Sequence, residues 1–87
     1  EVHAAADLPG AIASARRVFG LSADWMGVGA DDISMIPEII DAITGSDVDA
    51  LNSITDRIKA NTAKMDGLTT DIKSEGATFK SAAAGCE

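Results

Sequence analysis

Apolar residues recur at steps of three and four between positions 46 and 85. This spacing places them along one side of a single helix, which we predict over roughly residues 47–84. Ser46 and Asp49 have the spacing of a capping box ahead of the repeat. An apolar side of this length needs an apolar partner. The repeat consists of Val48, Leu51, Ile54, Ile58, Met65, Leu68, Ile72 and Phe79.

The first part of the chain predicts a short helix over roughly residues 8–19. Asp7 can cap the free amides of its first turn, and Pro9 is preorganised for that turn. Gly20 follows the apolar positions, so we expect the helix to end there.

Two further helical segments are expected before the long helix. A short one covers roughly residues 22–27, because Gly27 and Gly29 interrupt it. The next covers roughly residues 34–44, because Pro37 is tolerated only in the first turn of a helix.

These elements predict an all-α fold, a small bundle of about four helices within a single domain over residues 1–87. The chain has few aromatic residues, 3% of the total, so its core must be built from aliphatic side chains. Such a core suits helix-on-helix packing. We expect the long helix to pack on the isoleucines of the third helix and on Val18, Phe19 and Trp25.

Two polar residues interrupt the apolar repeat of the long helix. Asn61 and Glu75 stand where a 3.5-residue period calls for apolar side chains. They either lie at the edge of a globular four-helix core or set the register of an intermolecular coiled coil, as a buried Asn can.

Charge is distributed unevenly along the chain. The formal net charge is −7, and residues 1–50 contain only two cations, Arg16 and Arg17, against nine acids. Binding to phosphate backbones or anionic lipids requires clustered Lys or Arg. The composition therefore argues against nucleic-acid binding and disfavours electrostatic docking to membranes.

Residues that carry out catalysis or bind metals are sparse. The single histidine, His3, lies near the start of the chain, and the single cysteine, Cys86, is next to last. Neither belongs to a catalytic or metal-binding motif. We therefore expect no enzymatic activity, no metal and no cofactor. Cys86 is either an incidental thiol or an interchain disulfide candidate.

Acidic residues occur in two close pairs, Asp31 with Asp32 and Asp47 with Asp49. An EF-hand loop starting at Asp47 would need Gly at its sixth position and Glu at its twelfth. The chain has Asn52 and Ile58 there, which excludes that calcium loop. Both pairs are better explained as helix N-caps.

Trp25, Met26 and Gly27 form a Trp-x-Gly tripeptide between helical segments. It resembles the turn of WXG100 proteins, small type VII secretion substrates whose helical hairpins associate as dimers. The resemblance implies that Trp25 and Gly27 lie in the turn of a hairpin. The alternative is that Trp25 is the largest side chain of an aromatic-poor core.

We expect a non-catalytic protein that acts by protein–protein association, as a homodimer or as a subunit of a heteromer. Glu1 is consistent with a processed chain, so we expect secretion. A membrane-active toxin or bacteriocin-like subunit that uses residues 11–43 is an alternative, and a WXG100-like secretion substrate is another. The expected interface and core residues are Leu51, Ile54, Ile58, Met65, Leu68, Ile72, Phe79 and Trp25.

Overall fold

The computed structural model describes residues 6–84, which are almost entirely helical and contain no strand. Helix α1 spans Leu8–Ser34, α2 spans Ile36–Thr44 and α3 spans Val48–Ala83. Only Met35 separates α1 from α2, so these two helices form one arm of a hairpin and α3 forms the other. The all-α prediction is confirmed, but two helical arms replace the expected bundle of about four helices.

The hairpin is a rod rather than a globule. Its principal dimensions are 72 × 16 × 15 Å, and its radius of gyration is 19.9 Å. A compact domain of this length would have a radius of gyration of about 12 Å. The two arms therefore lie side by side along most of their length.

Helix α1 begins as the sequence predicts but continues much further. The Asp7 carboxylate accepts a hydrogen bond from the Gly10 amide at 3.0 Å, which confirms the predicted cap. Gly20 and Gly27 lie inside the helix, so the separate segments predicted over residues 8–19 and 22–27 are wrong. A glycine in a helix interior costs about 1 kcal/mol relative to alanine. Packing of the flanking turns against α3 outweighs that cost.

The first arm is interrupted at Met35 because of Pro37. Proline has no amide hydrogen, and its ring clashes with the carbonyl four residues earlier. The Met35 amide accordingly bonds to the Asp32 carbonyl, three residues back, at 3.1 Å. Helix α2 therefore starts at Ile36 rather than near Ser34. Asp31 and Asp32 lie inside α1, so the N-cap role predicted for them is wrong.

The chain reverses direction once among the described residues, in the short turn between α2 and α3. Ser46 has a positive φ of 51°, and Asp47 caps α3 by accepting a hydrogen bond from the Ala50 amide at 3.0 Å. The N-cap role predicted for Asp47 is therefore confirmed, whereas Ser46, the alternative cap, lies one residue too early. Helix α3 ends at Ala83, close to the predicted end of the long helix.

The two arms meet along what we call the inner seam, in which contact positions alternate at steps of three and four. This 3.5-residue average is the period of antiparallel helices packed as a coiled coil. The first arm contributes Ala11, Ser14, Val18, Leu21, Trp25, Val28, Asp32, Met35, Ile39 and Ala42. Helix α3 contributes Leu51, Ile54, Ile58, Asn61, Met65, Leu68, Ile72, Glu75, Phe79 and Ala82.

The best-buried apolar cluster lies at the end of the rod near the turn, where Met35, Ala42 and Ile54 pack together. Val18 is half-buried in the inner seam, as expected. Phe19 was expected beside it but is 72% exposed, because it lies one position further round the helix. The prediction that Phe19 packs under α3 is therefore wrong.

Candidate docking surface

A second repeat, apolar except at Ser22, runs along the first arm, and we call it the outer stripe. Its positions also alternate at steps of four and three, and most of them come one residue after an inner-seam position. One residue turns a helix by about 100°, so the outer stripe lies beside the inner seam and not opposite it. The outer stripe comprises Leu8, Ile12, Ala15, Phe19, Ser22, Met26, Gly29, Ile33, Ile36, Ile40 and Ile43.

The large side chains of the outer stripe face solvent. Their exposed fractions range from 52% for Ile36 to 72% for Phe19. An exposed apolar surface that continues along two helices is unusual for a monomer and is typical of an interaction site. Scattered surface hydrophobics would not share one helical face.

The elongated shape gives the chain a large exposed area, polar and apolar together. The accessible surface is 6169 Å², whereas a compact monomer of this mass would expose about 4,800 Å². The excess of about 1,300 Å² is larger than the roughly 800 Å² that each partner buries in a standard protein–protein interface. The rod therefore has enough surface for one such interface.

Helix α3 borders the outer stripe and forms two apolar grooves with it. Ala15, Val18, Phe19, Gly76 and Phe79 line a groove of about 170 Å³. A second groove, of about 330 Å³, follows one helical turn further along. It is lined by Ser22, Trp25, Met26, Thr69, Ile72 and Lys73. Gly76 and Thr69 are small, so a partner helix can approach α3 closely at both grooves.

The opposite flank of the arms is polar. One groove there is lined by Arg17, Asp24 and Glu75, among others. Another, near the turn, contains Glu38 and Arg57, which form an ion pair at 2.6 Å. The hairpin thus has one apolar flank and one charged flank, and only the apolar flank is suited to burying a helix.

Both polar residues that interrupt the long-helix repeat are bonded to the first arm. Asn61 is 7% exposed, and its amide nitrogen donates to Asp31 at 2.7 Å and to Asp32 at 2.8 Å. Glu75 accepts a hydrogen bond from the Arg17 guanidinium at 2.8 Å. They lie neither at the edge of a four-helix core nor, in this structure, between chains. They instead form polar layers of an intramolecular seam.

The residues predicted for the interface all lie on the inner seam. Ile54 is buried, and Leu51, Met65, Leu68 and Ile72 are half-buried. Ile58, Phe79 and Trp25 remain 39–41% exposed. The first arm therefore already covers most of the stripe that the sequence assigns to a partner. The interchain disulfide candidate, Cys86, lies outside the described residues, as does His3.

The outer stripe was missed at the sequence level because its repeat was divided among three expected segments. Gly20, Gly27 and Gly29 are typical of helix ends in sequence, which hides a spacing that continues through all of them. The signal was nonetheless present, because Ile12, Phe19, Met26, Ile33 and Ile40 are each seven residues apart.

Trp25 lies within α1, and its side chain borders Ile72 of α3 across one of the apolar grooves. The reversal of the chain comes well after it, at residues 45–47, and α2 intervenes. The turn position that the WXG100 resemblance implies for Trp25 and Gly27 is therefore wrong, although the described residues do form a helical hairpin.

Among residues 6–84, no group of three or more His, Cys, Asp or Glu side chains is arranged to hold a metal ion. Within the same range, no helix combines the length and apolarity needed to cross a bilayer. No family model, curated protein or solved structure matches this chain.

Proposed function

We propose that this chain is a non-catalytic helical hairpin that acts by protein–protein association, and that it binds through the outer stripe. The observation that carries the proposal is the continuous exposed apolar repeat on an arm whose inner seam is already packed against α3. A helix with two apolar seams about 100° apart is suited to contacting two neighbouring helices at once.

The energetics favour covering this surface. Removing apolar surface from water is worth about 25 cal/mol per Å², and the large side chains of the stripe are more than half exposed. The translational and rotational entropy that the molecules lose on association offsets part of that gain. The stripe extends over both helices of the first arm, which lengthens the apolar area that a partner can cover.

A protein surface is a better partner than an anionic one. The net charge of −7 repels densely charged phosphate backbones and anionic headgroups. It also repels a second copy of the chain, but salt screens that repulsion within about 10 Å, and the outer stripe itself contains no charged residue. Secretion, a heteromeric partner and an interchain disulfide through Cys86 stay predictions of the sequence.

The test is sedimentation velocity of the purified chain under reducing conditions, from micromolar to near-millimolar concentrations. We expect the wild type to associate and the double variant Phe19→Ser/Ile33→Ser to remain monomeric. Both side chains are at least 68% exposed, so the hairpin itself should retain its helicity by circular dichroism.

Val48→Ser is the matched control, because Val48 is 64% exposed but lies on α3, outside the stripe. It should associate like the wild type. A wild type that is monomeric at every concentration, with or without reductant, would overturn the proposal, and so would undiminished association of the double variant. Binding of a monomer to phosphatidylcholine–phosphatidylglycerol vesicles, without self-association, would instead support the membrane-active alternative.

A further inference from the structure

The outer stripe has a pattern of side-chain sizes in addition to its spacing. Its positions form two sets with a seven-residue period. One set is entirely large: Ile12, Phe19, Met26, Ile33 and Ile40. The other set is small in the middle and large at both ends: Leu8, Ala15, Ser22, Gly29, Ile36 and Ile43.

This division by size bears on how a second copy can pack. In a parallel pair, like positions meet, so Phe19 would face Phe19 while Gly29 faced Gly29. Overfilled layers would then alternate with empty ones, and both cost stability in a close-packed interface. In an antiparallel pair, the two sets face each other, and every small residue meets a large one.

One antiparallel register fills the stripe most evenly. When Ser22 faces Met26 of the second copy, Phe19, the bulkiest residue, faces Gly29, the smallest. The remaining layers are Ala15 with Ile33, Ile12 with Ile36, and Leu8 with Ile40. A shift by one heptad either places Phe19 against Ile36 or leaves the isoleucines of α2 uncovered.

We propose that the partner of the outer stripe is a second copy of this chain, packed antiparallel with Phe19 of each copy over Gly29 of the other. This proposal rests on the proposed function and specifies its partner. The same surface is used on both copies, so the contact closes on itself as a two-fold dimer. The two-fold axis crosses the outer stripe midway between Ser22 and Met26, and Asp24, at the same level, lies on the opposite side of the helix.

The surface available is sufficient for such a dimer. The rod exposes about 1,300 Å² more than a compact chain of its mass, polar surface included, against the roughly 800 Å² per partner of a standard interface. Within that surface, the eight large side chains of the stripe are each at least 52% exposed. The grooves beside α3 add room, since Ile72 and Phe79 border the stripe and can contact the second copy.

Site-directed cross-linking tests the register. Ala23 and Ala30 are exposed, and both directly follow a small stripe position. In the proposed dimer, the two-fold axis is level with residue 24. At a rise of 1.5 Å per residue, the two copies of residue 23 are therefore about 3 Å apart along the helix axis, and the two copies of residue 30 are about 18 Å apart. In a Cys86→Ser background, a short bismaleimide should link Ala23→Cys at least about tenfold faster than Ala30→Cys.

The possible outcomes separate this inference from the proposed function. Equal linking at both positions indicates a parallel dimer, and faster linking at residue 30 indicates a register shifted towards the turn. Either result, or a dimer that links at neither position, overturns the inference while the proposed function stands. A chain without any dimer in sedimentation overturns both.

A size exchange provides an independent readout. Phe19→Ala opens a cavity in the proposed layer, and Gly29→Leu overfills it, so each should weaken dimerisation by about tenfold or more. In the combined variant Phe19→Ala/Gly29→Leu, the dimer dissociation constant should return to within a few-fold of the wild-type value, because a large side chain again fills the same layer. A Cβ at residue 29 meets only the end of the flexible Met65 side chain, at 3.9 Å, and circular dichroism of each variant checks that the hairpin retains its helicity. If the two effects simply add, Phe19 and Gly29 are not partners and the register is wrong.

Discussion

Asn61 fixes how the two arms align. Its buried amide donates to carboxylates of both Asp31 and Asp32, which are neighbours on the first arm. Sliding α3 by one heptad would leave this amide buried without those acceptors, at a cost of about 1–3 kcal/mol. A polar residue inside an apolar seam thus stabilises one register over the alternatives.

Asn61→Ala should therefore destabilise the hairpin by about 1–2 kcal/mol, measured by urea unfolding followed by circular dichroism. The loss is limited because Asp31 is exposed and Asp32 only half-buried, so both carboxylates can be solvated instead. Asn52→Ala is the control, since Asn52 is an exposed residue of the same helix, and its effect should lie within about 0.5 kcal/mol. Equal effects of the two substitutions would show that the Asn61 hydrogen bonds contribute nothing to stability.

Helix α1 shows where sequence reasoning about an element succeeds and where it fails. The Asp7 cap depends on a local hydrogen bond to Gly10 and could be predicted. The continuation of α1 through Gly20 and Gly27 could not, because it depends on packing against residues of α3 that are distant in sequence. The start of α2 lies two residues after its predicted position near Ser34, since the effect of Pro37 is local.

Gly20→Ala and Gly27→Ala should each stabilise the protein by about 0.5–1 kcal/mol, because alanine is the better helix former. A Cβ at either position has no neighbour within 4 Å, so nothing in the hairpin opposes the change. Gly10→Ala is the contrasting variant, since its Cβ would collide with the Asp7 carboxylate and disturb the cap. Thermal and urea unfolding measure all three. Destabilisation by Gly20→Ala or Gly27→Ala would mean that the glycines are required where they stand.

At the scale of the whole molecule, the number of chain reversals separates the expected bundle from the observed rod. A bundle of about four helices needs reversals near Gly20 and again near Gly29, whereas the described chain reverses only at residues 45–47. The long helix and its apolar repeat could be read from the sequence. The residues that pack against the long helix could not be predicted, because the first arm has two apolar repeats, the inner seam and the outer stripe. Only the packed structure shows which of them faces α3.

A rod that buries its outer stripe against another molecule should show stability that depends on concentration. When unfolding is coupled to dissociation of a dimer, each tenfold rise in protein concentration adds about 1.4 kcal/mol per mole of dimer to the apparent stability. We therefore expect the midpoint of thermal unfolding to rise with concentration for the wild type and for Val48→Ser.

The double variant Phe19→Ser/Ile33→Ser should instead unfold at a midpoint independent of concentration, since only its intramolecular seam remains. Differential scanning calorimetry over a hundredfold range of concentration makes the comparison. If the wild-type midpoint were also constant, its folded state would not be coupled to association, and the outer stripe would remain exposed in the native protein. The part of the free energy of unfolding that depends on concentration thus measures how much burial of the outer stripe stabilises the folded protein.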